Sequence, residues 1–138
     1  MANVLYPLFK EAQVSAVTKV DFDGDTMKVA LIKITGSGAY TYSAAHDFYD
    51  DVSAAVVGTP QTLGTKTVAS GKFSSAKATF TAVTSSGNTL GVLLYKDTGT
   101  PGTSNVVAYF DTGTNVPITP NGSDVDVTPD GTNGWFTL

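Results

Sequence analysis

Apolar residues follow two regimes along this chain: helical spacing near the start, then short runs cut by Gly and Pro over most of the remainder. Val4, Leu5, Leu8, Phe9, Ala12 and Ala16 recur at intervals of three and four, and Pro7 stands where a first helical turn tolerates it. The pattern predicts a short amphipathic helix over residues 4–16. Residues 21–25 then read as an acidic, glycine-containing turn. After them Lys28 and Lys33 alternate as outward positions with apolar Val29, Leu31, Ile32 and Ile34, which predicts a central strand over 27–34. Ser43, followed by Ala44, Ala45, His46 and Asp47, carries a helix-start signature, so one or two helical turns are expected there with Phe48 and Val52 facing the core.

Beyond Val56, Gly and Pro recur every few residues, and the segments between them are rich in Val, Thr and aromatics. Strands are predicted at 61–68, 72–73, 78–83, 89–95, 105–111, 124–128 and 135–138. Short strands separated by turns at this spacing predict a mainly β fold, an antiparallel sandwich or barrel with one or two short helices in the N-terminal half. At 138 residues the chain fits a single β-rich domain, 1–138, with residues 1–20 as an N-terminal helix or arm. The similar stretches at 96–100 and 111–114 read as hairpin-type turns rather than as a repeat.

Composition narrows the function classes. The 41% apolar content is enough for a core, while charged residues, at 14%, are replaced largely by Thr and Ser. All eight cations are Lys, and the formal net charge is −4. A nucleic-acid reader without the guanidinium fork would be unusual, so no nucleic-acid partner is expected. There is no Cys, hence no disulfide framework and no thiolate metal site. No apolar run approaches the roughly 20 residues that span a bilayer and no signal-peptide pattern opens the chain, so the expectation is a soluble protein made in a cytoplasm, with no membrane partner.

Candidate chemistry is sparse. Asp21, Asp23 and Asp25 alternate as in a calcium loop, but the template's sixth and twelfth positions hold Thr26 and Ile32 in place of Gly and Glu, which favours a solvated turn. His46, Asp47, Asp50 and Asp51 could converge on a short helix, since His46 and Asp50 are four apart and share a face, yet His46 is the only histidine and acidic residues in an early helical turn are explained by the helix dipole. The serines lie in glycine-rich turns without a strand–elbow–helix pattern around them, Glu11 is the only glutamate, and Gly36 and Gly38 lack the lysine of a phosphate loop. No catalytic, cofactor-binding or metal residue is assigned, and no enzyme activity and no cofactor are expected. Tyr40, Tyr42 and Tyr49, with Trp135 and Phe136, could form an aromatic platform for sugars or a protein; a core role is the competing reading.

Six segments, in chain order, resemble a family of small tailed-bacteriophage virion proteins. They are Tyr6-Pro7-Leu8-Phe9-Lys10-Glu11-Ala12, Asp25-Thr26-Met27-Lys28-Val29-Ala30-Leu31, Tyr40-Thr41-Tyr42-Ser43-Ala44-Ala45-His46-Asp47-Phe48, Thr79-Phe80-Thr81-Ala82-Val83, Leu94-Tyr95-Lys96-Asp97-Thr98-Gly99, and Pro117-Ile118-Thr119-Pro120-Asn121-Gly122. The resemblance implies a structural protein of the virion, with a capsid decoration or cement protein favoured on the capsid surface. The major capsid protein or other virion proteins are then the expected partners, with a homo-oligomer such as a trimer as the working form. Under that reading the large apolar groups near both ends, Val4, Leu5, Tyr6, Leu8 and Phe9 with Trp135, Phe136 and Leu138, are the expected interface, a core role being the alternative. A tail or neck component, or a carbohydrate-binding β-sandwich, are the competing functions.

Overall fold

Residues 27–33 and 90–96 are apolar at nearly every position, which a strand carries comfortably only when both its faces are covered. The computed structural model, which describes residues 3–15, 20–85, 87–113 and 116–138, shows that arrangement. Its elements in chain order are β1 (Val4–Leu5), α1 (Pro7–Ser15), β2 (Met27–Lys33), β3 (Val56–Thr62), β4 (Thr67–Ala69), β5 (Lys72–Ser74), β6 (Ala78–Phe80), β7 (Leu90–Lys96), β8 (Val106–Phe110), β9 (Val125–Val127) and β10 (Phe136–Thr137). A five-stranded antiparallel sheet runs β1-β8-β7-β2-β3, beside a three-stranded sheet β10-β5-β4 and a two-stranded sheet β6-β9. The described strands form open sheets, so of the two expected architectures the sandwich-like one is found and the barrel is not.

Register assigns the two faces of the large sheet. Val29 pairs with Leu94, Leu31 with Val92, and Val92 with Phe110, which puts these side chains on one face. Ala30 pairs with Leu93 and Leu93 with Tyr109, which places them on the other. Phe110 meets Trp135 with ring centroids 6.2 Å apart, so the small sheets cover the first face. Tyr109 meets Tyr40 at 5.4 Å, and Tyr95 stacks on Tyr49 at 4.4 Å, so the segment between β2 and β3 covers the second. The one-sided alternation expected for 27–34 is therefore replaced by burial on both sides. Lys28 and Lys33 lie near opposite ends of β2, and Lys28 pairs with Asp97 at 2.7 Å.

Three further expectations change. The N-terminal helix starts at Pro7 and not at Val4: the residue before a proline is biased out of helical backbone, and Val4 and Leu5 instead pair with Tyr109 and Ala108. Ala16 lies outside the described residues. The helical turns expected from Ser43 are absent. Ser43 supports only a turn, its Oγ accepting from the Ala45 N–H, and two short 3-10 turns follow at Tyr49–Asp51 and Ser53–Ala55. The backbone of this segment is committed to β8 and its approach. Asp47 C=O accepts from the Val106 N–H, the Tyr49 N–H donates to Ser104 C=O, and Phe48 bridges Asn105. Val52 is buried as expected, while Phe48 is half-buried. Finally, the strand expected over 61–68 is two strands, β3 ending at Thr62 and β4 starting at Thr67, with β3 reaching back to Val56. Ten strands and one α-helix near the N-terminus, among the described residues, make this a mainly β protein.

Candidate functional site

The covered second face holds the most developed polar arrangement. Tyr6, fully buried, places its hydroxyl 2.7 Å from that of Tyr40, and the Tyr40 hydroxyl lies 2.7 Å from His46 Nδ1. Tyr40 thus stands in the middle of a chain of side-chain hydrogen bonds that runs from Tyr6 to His46. Burial, and after it the hydrogen bond to Tyr40, raises the Tyr6 phenol far above its ordinary range; burial also raises Tyr40. Tyr109, flanking Tyr40, is pushed up to about 12 by burial and by the neighbouring Asp111 carboxylate. These phenols are neutral at physiological pH, so the chain of hydroxyls is a structural tie between β1 and the segment after β2. Tyr6→Phe is expected to cost about 1 kcal/mol, the net value of one such hydrogen bond, read as a small fall in the urea midpoint with an unchanged slope.

Beside this tie runs an open cleft of about 560 Å3, bordered by Tyr40, Tyr42, Tyr109, Asp111 and Pro117. A second cleft, of about 510 Å3, opens on the opposite face between Phe110, Val127 and Trp135, with Asn3, Asp130 and Asn133 at its rim. The rim polar groups serve the fold. Asn3 Oδ1 accepts from the Asp111 and Thr112 N–H groups, and Asp130 Oδ1 accepts from those of Thr132 and Asn133, which hold its carboxyl below the usual range. Trp135 donates its indole N–H to Ser75. The five aromatic residues considered as one platform are thus divided. Tyr40 and Tyr49 contact Tyr109 and Tyr95 on one face, whereas Trp135 contacts Phe110 on the other, and Tyr109 and Phe110 are neighbours pointing opposite ways.

The acidic clusters also resolve into turns. Asp21 Oδ1 accepts from the Gly24 N–H and Asp25 Oδ2 from the Asp21 N–H, and Lys96 lies 3.0 Å from Asp25. Hydrogen bonds with Asp23 and with Gly24 lower the Asp21 carboxyl. Asp51 Oδ2 accepts from the N–H groups of Asp47 and Phe48, while His46 turns to Tyr40. Burial and the adjacent Asp51 raise Asp47. Among the described residues no three His, Asp or Glu side chains converge as a metal-holding group.

Of the eight residues expected at an interface, Tyr6, Phe9, Trp135 and Phe136 are buried within this chain, and Phe9 packs against Phe136 with centroids 6.4 Å apart. Val4 and Leu5 are half-buried in β1, and Leu8 half-buried on α1. Of the eight, only Leu138, 71% exposed, presents most of its side chain outward; among the described residues Val14 and Val68, which hydropathy spacing did not single out, are the other large apolar groups that do. The Tyr6–Tyr40–His46 tie was not legible either, because its members lie on separate elements that only the sheet brings together.

Fold and clefts together define a mainly β, sandwich-like protein. No protein-family model matches the chain, and no curated protein matches it in sequence.

Proposed function

We propose that the chain is a structural component of a tailed-bacteriophage particle. Within that class we favour a head decoration protein that binds the major capsid protein across capsomer boundaries as a homo-oligomer. The observation that carries this reading is the resemblance of six segments, spread in order from Tyr6 to Gly122, to small virion proteins of such phages. The segments fall on framework elements: α1, β2, the tyrosine-bearing cover, β6, the end of β7 and the stretch before β9. A sheet covered on both faces also gives a stiff body of the kind that works by shape. A protein of this class needs no reaction chemistry. By binding the assembled shell and not its free subunits, it stabilises the shell by mass action.

Immunogold labelling of particles of the phage that encodes the chain tests the reading. Label over the head is the expected result. Label on neck or tail keeps the structural class and moves the location, and unlabelled intact and opened particles overturn it.

A second reading, binding of glycans, is favoured by one observation, the tyrosine-walled cleft with Asp111 at its border. A glycan array without signal above background retires it.

A further inference from the structure

The free edges of the sheets are guarded unequally. β3, at one edge of the large sheet, carries Pro60, Gly58 at φ +71° and a shift of register against β2. β1, at the other edge, has two residues and runs directly into α1. In the two-stranded sheet, Lys77 and Asp126 form an ion pair at 2.9 Å. Prolines, bulges, charges and shortness are the devices by which proteins prevent edge-to-edge pairing. β4 has none of the first three: Thr67, Val68 and Ala69 are uncharged, regular and all exposed.

The backbone of β4 is aimed outward at its centre. Ser70 at φ +52° and Gly71 at φ +75° form a two-residue turn of the primed type, which sets Val68 opposite Phe73. The Phe73 carbonyl accepts from the Trp135 N–H, so the main-chain groups of Phe73 point to the β10 side and away from β4. Phe73 and Val68 are therefore a non-hydrogen-bonded pair, and the N–H and C=O of Val68 point to the open edge. On the side-chain level Phe136, Phe73 and Val68 are cross-strand partners in succession and form one apolar row across the three-stranded sheet. Phe136 and Phe73 are buried, and Val68, 51% exposed, is the uncovered end of the row.

We infer that β4 pairs antiparallel with β4 of a second copy of this chain, about a two-fold axis at Val68. The pairing gives Val68 two main-chain hydrogen bonds to its counterpart and joins the three-stranded sheets into one of six strands. A second copy fits this edge better than an unrelated extended segment for two reasons. Each copy supplies the apolar group that continues the other's row, and the axis sets Thr67 opposite Ala69 with no charge on either side. The ammonium groups of the flanking lysines are engaged within their own chain, Lys66 by the Asp25 carbonyl and Lys72, at 3.4 Å, by the Thr132 carbonyl. The contact is isologous and closes at two copies, or joins two larger oligomers in pairs. It does not rest on the virion reading, since it is a property of the purified chain.

Sedimentation equilibrium of the full chain over a range of concentrations reads the association directly. Expected is a reversible dimer that Val68→Lys weakens at least tenfold without changing far-UV circular dichroism, whereas Thr59→Lys on the guarded edge β3 leaves it intact. Because the chain has no Cys, Val68→Cys adds a single thiol. Across a hydrogen-bonded antiparallel pair, Cα atoms are about 5.5 Å apart, within disulfide reach, so mild oxidation is expected to give a covalent dimer. A chain that stays monomeric up to millimolar concentration, or an oligomer indifferent to Val68→Lys, overturns the inference.

Discussion

Phe73→Ala is expected to remove about 4 kcal/mol of stability, the usual loss for truncating a fully buried phenylalanine. Phe73 is the middle of the three-stranded sheet, its ring lying 4.9 Å from Phe22 and 6.0 Å from Phe136 by centroid, and Phe22 and Phe136 in turn hold Phe9 of α1. The cavity cannot collapse readily, because the neighbouring aromatics are themselves fixed by strand pairing. Against a total stability of roughly 5–15 kcal/mol for a domain, that loss is severe. Urea unfolding measures its size, and hydrogen exchange measures its location. Protection should fall first in α1, β4 and β10 and last in β7 and β8. A uniform loss across all strands would show that the aromatic cluster is not a separable layer.

Gly91→Ala is the second large effect, with the opposite cause. Gly91 is buried in β7 opposite Ile32, and a Cβ there would stand 2.6 Å from the Phe110 carbonyl oxygen and 3.0 Å from Ile34 Cγ2. The nearer obstacle is backbone of a paired strand, which no rotamer change can move. Overpacking of this kind costs about 3 kcal/mol at its upper range and should lower the melting temperature on the order of 10 °C. Gly64→Ala is the matched control: nothing lies within 4 Å of its Cβ position, so calorimetry should show little change or a small gain. Equal melting temperatures for the two variants would mean that β8 can give way at Phe110.

The strands between Gly and Pro were legible because each is short, apolar and bounded: residues 89–95, 105–111 and 124–128 differ from β7, β8 and β9 by a residue or two at their ends. β3 was missed over Val56–Pro60 for a definite reason. Gly58 and Pro60 read as breakers, yet on an edge strand a proline forfeits no ladder bond that points outward, and Gly58 takes up the irregularity where Val29 pairs with Gln61 but Leu31 with Val57. The Ser43 signature misled because a helix start is a local preference, whereas the main-chain bonds of Asp47 and Tyr49 to Val106 and Ser104 are set by tertiary packing. Which aromatic residues share a face was likewise invisible along the chain, since it depends on the parity of Tyr109 and Phe110 within β8.

The docking of the N-terminal segment on the last strands has a kinetic meaning. Val4 and Leu5 need β8, Asn3 needs Thr112, and Phe9 needs Phe136. During synthesis residues 3–9 emerge before residues 106–136, so these contacts form only after β8 and β10 have been made. Closing so long a loop is paid before its contacts form, which places folding in the slow, millisecond-to-second range of sheet proteins. The contacts of β1 and α1 with β8 and β10 therefore cannot precede the synthesis of those strands.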